Sequence, residues 1–321
     1  MHPEISKALP SRPDLILSGQ PFTRAEGRDH DLDAKQVRRL LRIGLLRPVV
    51  RGVYVDALVE DSLPLRAAAI AKVAPPDAVA CRQTAAWLLG IDTLALSEHA
   101  DIPKADFVRQ TKTRAVKISR ASGHSQTLLA GDVIDWHGLQ ITSPLATAVH
   151  LARHLRRPFA LSALDAMARA GLVTCLEVRD AVRRFPHHPG IVQARELAAL
   201  IDPSAESPGE SWLRLRMIDA GFPVPVPQID VTDGVNNYRI DLGFLDPIPG
   251  TADRHLGMEY DSDRWHGTAE QQRHDSARRR RLGRLGWDIL SVRRWQIWGA
   301  DTGLEDSVGK ILGLIPRSRR W

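Results

Sequence analysis

Two short apolar runs in the C-terminal third carry carboxylates where a sheet would bury them. Tyr238-Arg239-Ile240-Asp241-Leu242-Gly243-Phe244 holds Asp241, and Leu256-Gly257-Met258-Glu259-Tyr260-Asp261 holds Glu259 and Asp261. An ionised group is costly to bury unless it is paired or binds a cation. Side chains alternate along a strand, so Glu259 and Asp261 share a face, and a neighbouring strand would bring Asp241 beside them. Three carboxylates converging from two adjacent strands would form a hard oxygen site that suits Mg2+ or Mn2+. The alternative is structural: Asp241 as an ion-pair partner of Arg239 or of an arginine further along, and Asp261 as a strand-end turn residue.

The elements that would position these acids follow in order. A helix is expected from Glu210 to about Ala220, with Leu213 and Met217 on one face. The stretch Phe222-Pro223-Val224-Pro225-Val226-Pro227 excludes a central strand, because proline cannot donate to a ladder. Trp265-His266 lies just past the second acidic run. A helix then runs from about Ala269 to Leu285 and holds Arg273, Arg278, Arg279, Arg280, Arg281 and Arg284, followed by a strand over 286–292. Four consecutive arginines cover every side of a helix and repel one another without a polyanion, although a solvated helix face remains the alternative. Trp265 could stack on a base, whereas Trp212, Trp287, Trp295 and Trp298 read as packing residues.

A second basic patch lies near the N-terminus. Residues 15–56 read as three short helices followed by a hairpin: Thr23 and Glu26 form a capping-box pattern, and a second helix should start near Asp33 and stop at Gly44. Leu45 to Val50 and Val53 to Val55 then read as a hairpin through Arg51-Gly52. That order is a winged helix-turn-helix, in which the last helix enters the major groove. Lys35, Arg38, Arg39, Arg42, Arg47 and Arg51 fall within residues 35–51 with no acid among them. DNA contact fits this patch, and a protein-binding winged helix is the alternative. Residues 61–202 read as mixed, with helices near 65–73, 82–89 and from Ser143-Pro144, strands at Phe107-Val108 and 116–118, and three helical stretches over 158–200.

The totals set the frame. The chain has 321 residues and a formal charge of +6, with only two cysteines, Cys81 and Cys175, and no CxxC pair. Zinc fingers and disulfide frameworks are therefore not expected. No stretch approaches the roughly 18 apolar residues of a membrane span, and the N-terminus lacks the pattern of a signal peptide. A soluble, cytoplasmic protein is expected.

The combination RIDL, MEYD, RWH and RRRRLGRLGW over about residues 208–300 resembles the very-short-patch-repair-like branch of the PD-(D/E)xK endonuclease superfamily. The resemblance implies a Mg2+-dependent phosphodiesterase supported by an acid on the leading helix, an Asp on the first core strand and a Glu on the next. On this chain those are Glu210, Asp241 and Glu259, with Asp261 and His266 nearby. The superfamily pattern has Lys two residues after the Glu, where this chain has Asp261; the related small domains often carry an acid there, and His266 would then orient or deprotonate the water. Residues before 200, particularly FTRAEGR, LLRIGLLRPVVRGVYV and VACRQTAAWLLG, resemble the N-terminal region of AbiEi-type antitoxins, whose winged-helix N-terminus represses a toxin operon.

The expected fold class is α/β, α+β overall. It comprises a winged helix-turn-helix over 1–60, a mixed α/β connecting or regulatory region over 61–202 and a restriction-endonuclease-like α/β/α domain over 203–321. DNA is the expected partner, as substrate of an endonuclease or as operator of a non-catalytic regulator. A homodimer and a toxin partner both stay open.

Overall fold

A computed structural model describes residues 16, 18–93, 105–109, 121–125, 128–261, 269–299 and 301–321. The strand expected at 116–118 and the pair Trp265-His266 lie outside the described residues. The chain divides into two compact units, 1–150 and 151–321, each described by itself.

The first unit begins with the small winged module. Strand β1 (Phe22–Thr23) leads into helix α1 (Arg24–Asp29), whose N-cap Thr23 and Glu26 form the reciprocal capping box. Helix α2 (Ala34–Arg42) is capped in the same way by Asp33 and Gln36, and Gly44 beyond it adopts a φ of +73°. The hairpin β2 (Leu46–Val50) and β3 (Val53–Asp56) pairs with β1 in the order β1-β3-β2. Ile16, Phe22, Leu32, Val37, Leu40, Leu46 and Tyr54 make its core. Lys35, Arg38, Arg39, Arg42 and Arg51 are exposed. Arg47 is half-buried and donates to the Val59 carbonyl at 2.9 Å, so its charge is partly committed within the fold.

Helices α3 (Leu63–Ala71) and α4 (Arg82–Leu88) follow, with a five-stranded sheet of β4 (Ala78–Ala80), β5 (Ala105–Arg109), β6 (Ala121–Ser125), β7 (Val133–Trp136) and β8 (Leu139–Thr142). Its order is β6-β5-β4-β8-β7, with parallel pairs β5–β6 and β4–β8. Helix α5 (Pro144–His154) leaves this sheet at Ser143, whose hydroxyl accepts from the Ala146 amide at 3.4 Å.

The second unit is built around one helix. Helices α6 (Arg157–Arg169), α7 (Cys175–Ala181) and α8 (Ile191–Leu200) precede α9 (Pro208–Asp219). Residues 209–217 of α9 are all buried, including Arg214 and Arg216. Arg214 donates to Asp165 on α6 at 2.9 Å, and Asp165 also accepts from the Ser211 hydroxyl at 2.7 Å and the Asp202 amide at 2.9 Å. Burial pushes the Asp165 carboxyl upward, and these donors oppose that shift. Arg157 grips Asp219 with two nitrogens at 2.8 and 2.7 Å. Phe159, Trp212 and Trp298 close the same interface, with Trp298 stacked on Phe159 at 5.1 Å between centroids. This packing crosses residue 203, the boundary suggested by the linker's composition.

Beyond α9 comes a four-stranded sheet of β9 (Val226–Thr232), β10 (Asn237–Gly243), β11 (His255–Asp261) and β12 (Trp287–Arg293), in the order β12-β11-β10-β9. Pairs β9–β10 and β10–β11 are antiparallel and β11–β12 is parallel. The proline-containing strand sits at the edge, where a missing donor is tolerated. Helix α10 (Ala269–Arg284) packs onto the sheet through Leu282, which joins Ile240 and Trp287 in a buried cluster. Helices α11 (Arg294–Trp298) and α12 (Gly303–Leu312) complete the unit. Trp212 and Trp287 are buried core residues, and Trp295, 59% exposed, packs only at the edge: the short α11 turns Ile297 inward, and a residue two positions away points outward.

Truncating one partner of a buried ion pair strands the other charge. Asp165→Ala is therefore expected to lower unfolding free energy by about 3–5 kcal/mol in a denaturant titration, and Asp165→Leu with Arg214→Met to recover most of it.

Candidate functional site

Antiparallel pairing places Leu242 opposite Met258 and Gly243 opposite Gly257, so the next residues, Asp241 and Glu259, come side by side where β10 and β11 begin to separate. There the Asp241 carboxylate accepts from the Tyr260 amide at 2.8 Å. Gly209 in the first turn of α9 lies against the Tyr260 ring so closely that a Cβ would fall 2.0 Å from it. That close approach brings Glu210 to the same end of the sheet.

Glu210 is 6% exposed and well supplied with donors. One carboxylate oxygen accepts from the Ser207 hydroxyl at 2.8 Å, and the other from the Glu206 amide at 2.9 Å and the Gln228 side-chain amide at 2.7 Å. Glu259 is paired with the Arg278 guanidinium, whose other nitrogen donates to the Arg239 carbonyl at 2.7 Å. Asp241 is the frustrated member. Burial chiefly pushes its carboxyl up to about 6; Glu210 and Glu259 raise it further, while the Tyr260 amide and Arg278 oppose the rise. Three acids and one arginine therefore act on one another electrostatically.

The remaining candidates separate from this group. Asp261 is exposed at the end of β11, where its register partner is Arg293. His266 and Trp265 lie outside the described residues. Along α10 the arginines diverge as their spacing requires. Arg278 turns to Glu259, Arg279 donates to the Ser291 hydroxyl at 2.7 Å, and Arg281 reaches the Tyr238 hydroxyl at 3.4 Å. Arg273, Arg280 and Arg284 are exposed. Nothing in the sequence pattern singled out Arg278 from its neighbours, or Gln228 at all; only the turn of α10 over the sheet and the backbone at residue 228 reveal them.

Among the described residues no group of three His, Cys, Asp or Glu side chains is disposed to hold a metal as it stands. The donor chemistry nevertheless fits a hard divalent cation. Two carboxylates depress the ionisation of a third, and a guanidinium already neutralises Glu259. A cation at Asp241 and Glu259 would relieve the first effect and compete with the second.

The raised carboxyl of Asp241 has a definite pH signature. A carboxyl whose pKa is higher in the fold than in the unfolded chain contributes stability below the ordinary carboxylate range, and that contribution is lost as pH rises through about 6. In EDTA, Asp241→Asn is thus expected to be more stable than wild type at pH 7.5 by roughly 1–2 kcal/mol, with the gap closing toward pH 4. Equal melting curves at both pH values would contradict this assignment of the strain.

Comparison with known proteins gives two family matches. Residues 78–200 match the AbiEi antitoxin C-terminal domain, and residues 216–308 match the restriction-endonuclease-like family REase_MTES_1575. Two Mycobacterium tuberculosis proteins, the uncharacterized protein MT2308 of strain CDC 1551 and the uncharacterized protein Rv2248 of strain H37Rv, are each 36% identical over 251 residues, covering 78% of this chain and 85% of theirs. The crystal structure of the RV2827C protein from Mycobacterium tuberculosis aligns with 67% of this chain and 83% of its own at 16% identity and a TM-score of 0.30, too low to establish a shared fold.

Proposed function

This chain belongs to the family of the two mycobacterial proteins MT2308 and Rv2248, and on that footing we propose that it is a DNA-binding protein whose C-terminal region is a Mg2+- or Mn2+-dependent endonuclease. The observation that carries this reading is the electrostatic coupling of Asp241 to Glu210 and Glu259 at the splaying ends of β10 and β11. A divalent cation bound there would supply Lewis acidity at a phosphate oxygen and lower the pKa of a bound water.

The chain's own groups do the rest. Asp241 and Glu259 are the ligands, with Glu210 adding negative charge from the helix end. Arg278 is placed to leave Glu259 for a phosphate oxygen, bringing positive charge to the phosphodiester as negative charge develops on it. His266 remains the proposed water-orienting base, and Asp261 sits where it would receive Arg293 or help hold that water. Trp265 is proposed to stack on a base. Arg273, Arg280 and Arg284 present a basic ridge to the DNA backbone, flanked by Arg279 and Arg281, and Lys35, Arg38, Arg39, Arg42, Arg47 and Arg51 form the targeting surface of the winged module. In this reading residues 1–60 target DNA, 61–202 connect or regulate, and 203–321 cleave. A cytoplasmic setting accords with two unpaired cysteines, Cys81 being buried with its thiol pushed up to about 12.

A second reading has its own support. The Arg278–Glu259 pair and the Asp at position 261 also suit a nuclease-like fold without turnover, acting with the AbiEi-type region as an operator-binding regulator with a toxin partner. Supercoiled plasmid incubated with Mg2+, Mn2+ or EDTA separates the two. The endonuclease reading expects metal-dependent nicking that drops at least 100-fold in Asp241→Ala and Glu259→Ala. No cleavage by wild type, or cleavage undiminished in both variants, leaves only the regulator.

The basic ridge makes a separate prediction. Arg280→Ala and Arg284→Ala should each weaken binding to random-sequence duplex and reduce the slope of log affinity against log salt by about 1. Unchanged slopes would remove these two residues from the interface.

A further inference from the structure

Strand β9 carries an anomaly beside the acidic cluster. Its pairing with β10 runs regularly through Ile229 opposite Ile240 and Pro227 opposite Leu242, but the intervening partners, Gln228 and Asp241, do not pair. Gln228 there has a φ of +53°, a left-handed conformation uncommon for a residue with a side chain and costing on the order of 1–3 kcal/mol. An edge strand can follow an ordinary extended path at no such cost, so the surrounding structure must hold residue 228 in place. What the distortion achieves is visible at the side chain. The Gln228 amide donates to the Glu210 carboxylate at 2.7 Å, from the strand position directly opposite Asp241.

We infer that Gln228 is a positioning residue, whose strained backbone aims its amide at Glu210 and fixes that carboxylate beside Asp241 for divalent-cation binding. Ser207 and the Glu206 amide tie Glu210 to its own helix end, whereas Gln228 is the donor that ties it to the sheet carrying Asp241. The interaction crosses from helix to strand, and so it controls the separation between carboxylates borne on different elements. Outer-shell side chains that hold the groups around a metal in this way typically change its affinity by 10–100-fold when removed.

This inference rests on the divalent-cation reading, and its test distinguishes the two. Mn2+ is titrated calorimetrically into the full-length protein at neutral pH. Gln228→Gly deletes the amide but accepts φ +53° without strain, so its thermal midpoint in EDTA should stay at or above that of wild type. Its Mn2+ affinity should nevertheless fall at least tenfold. Gln228→Asn, tolerated at positive φ but one methylene too short to reach, should behave alike. Glu210→Gln should fall similarly, and adding Gln228→Gly to it should cost little more. Wild-type Mn2+ binding that is unchanged or tightened in Gln228→Gly and Gln228→Asn overturns the role of Gln228 alone. Absence of Mn2+ binding by wild type overturns the cation reading and this inference together.

Discussion

Two guanidinium groups inside α9 set the terms on which the second unit can exist. A buried arginine is tolerable only with a carboxylate close beside it. Arg214 and Arg216 are two residues apart, about 200° around a helix, and therefore need partners on opposite sides. Arg214 takes Asp165 from α6, within the AbiEi-matching stretch. Arg216 takes Glu305 from α12, near the end of the endonuclease-matching stretch, and also donates to the Ile297 carbonyl. The two family regions thus meet on one helix, and neither can withdraw its acid without leaving a charge in an apolar interior. The aromatic stack of Phe159, Trp212 and Trp298 excludes water around these pairs, which strengthens them.

The same helix delivers Glu210 from its first turn, and here the electrostatics reverse. Around Arg214 and Arg216 each charge is matched, whereas around Asp241 three acids share one arginine. A fold optimised only for stability would replace Asp241 with an amide or an apolar residue. Clusters of this kind, destabilising on their own and relieved by a counter-charge, mark functional sites more often than structural ones. Arg278 serves as the internal counter-charge, bound through one hydrogen bond to Glu259 and one to a carbonyl, at the half-exposed surface of the sheet.

Much of this was legible in the order of residues. The capping box at Thr23, the helix start near Asp33, the stop at Gly44, the cap at Ser143 and the exclusion of a central strand by the prolines of 222–227 are local, and local rules found them. The paired strands bearing Asp241 and Glu259 were legible because acids among apolar neighbours violate the usual pattern. Strands β1, β4, β6, β7 and β8 escaped because two to five residues give no clear alternation, and β9 escaped because the prolines at its start read as a break. Glu210 entered only by resemblance, since a glutamate three residues after Ser207 looks like an ordinary cap. Whether Trp295 packs in the core or at the edge is not legible, because aromatic type does not reveal which side of a five-residue helix faces inward. Arg278 could not be told from Arg279 or Arg280, whose partners depend on the rotation of α10. Gln228 was invisible, because its role resides in a backbone angle imposed by tertiary contacts.

Most of the geometry described above results from attraction, between opposite charges, donors and acceptors, or apolar surfaces. Gly209 against Tyr260 is different: that spacing is set by exclusion. With no side chain at residue 209, the helix rests on the ring as a shim rests on a machined face, and the gap between Glu210 and the strand bearing Glu259 inherits that tolerance. Sequence drift can rebuild a salt bridge or reroute a hydrogen bond elsewhere in the molecule, but at this contact it has no incremental step to take. The smallest change available, one methyl group, already forces the Tyr260 ring or the helix end to shift.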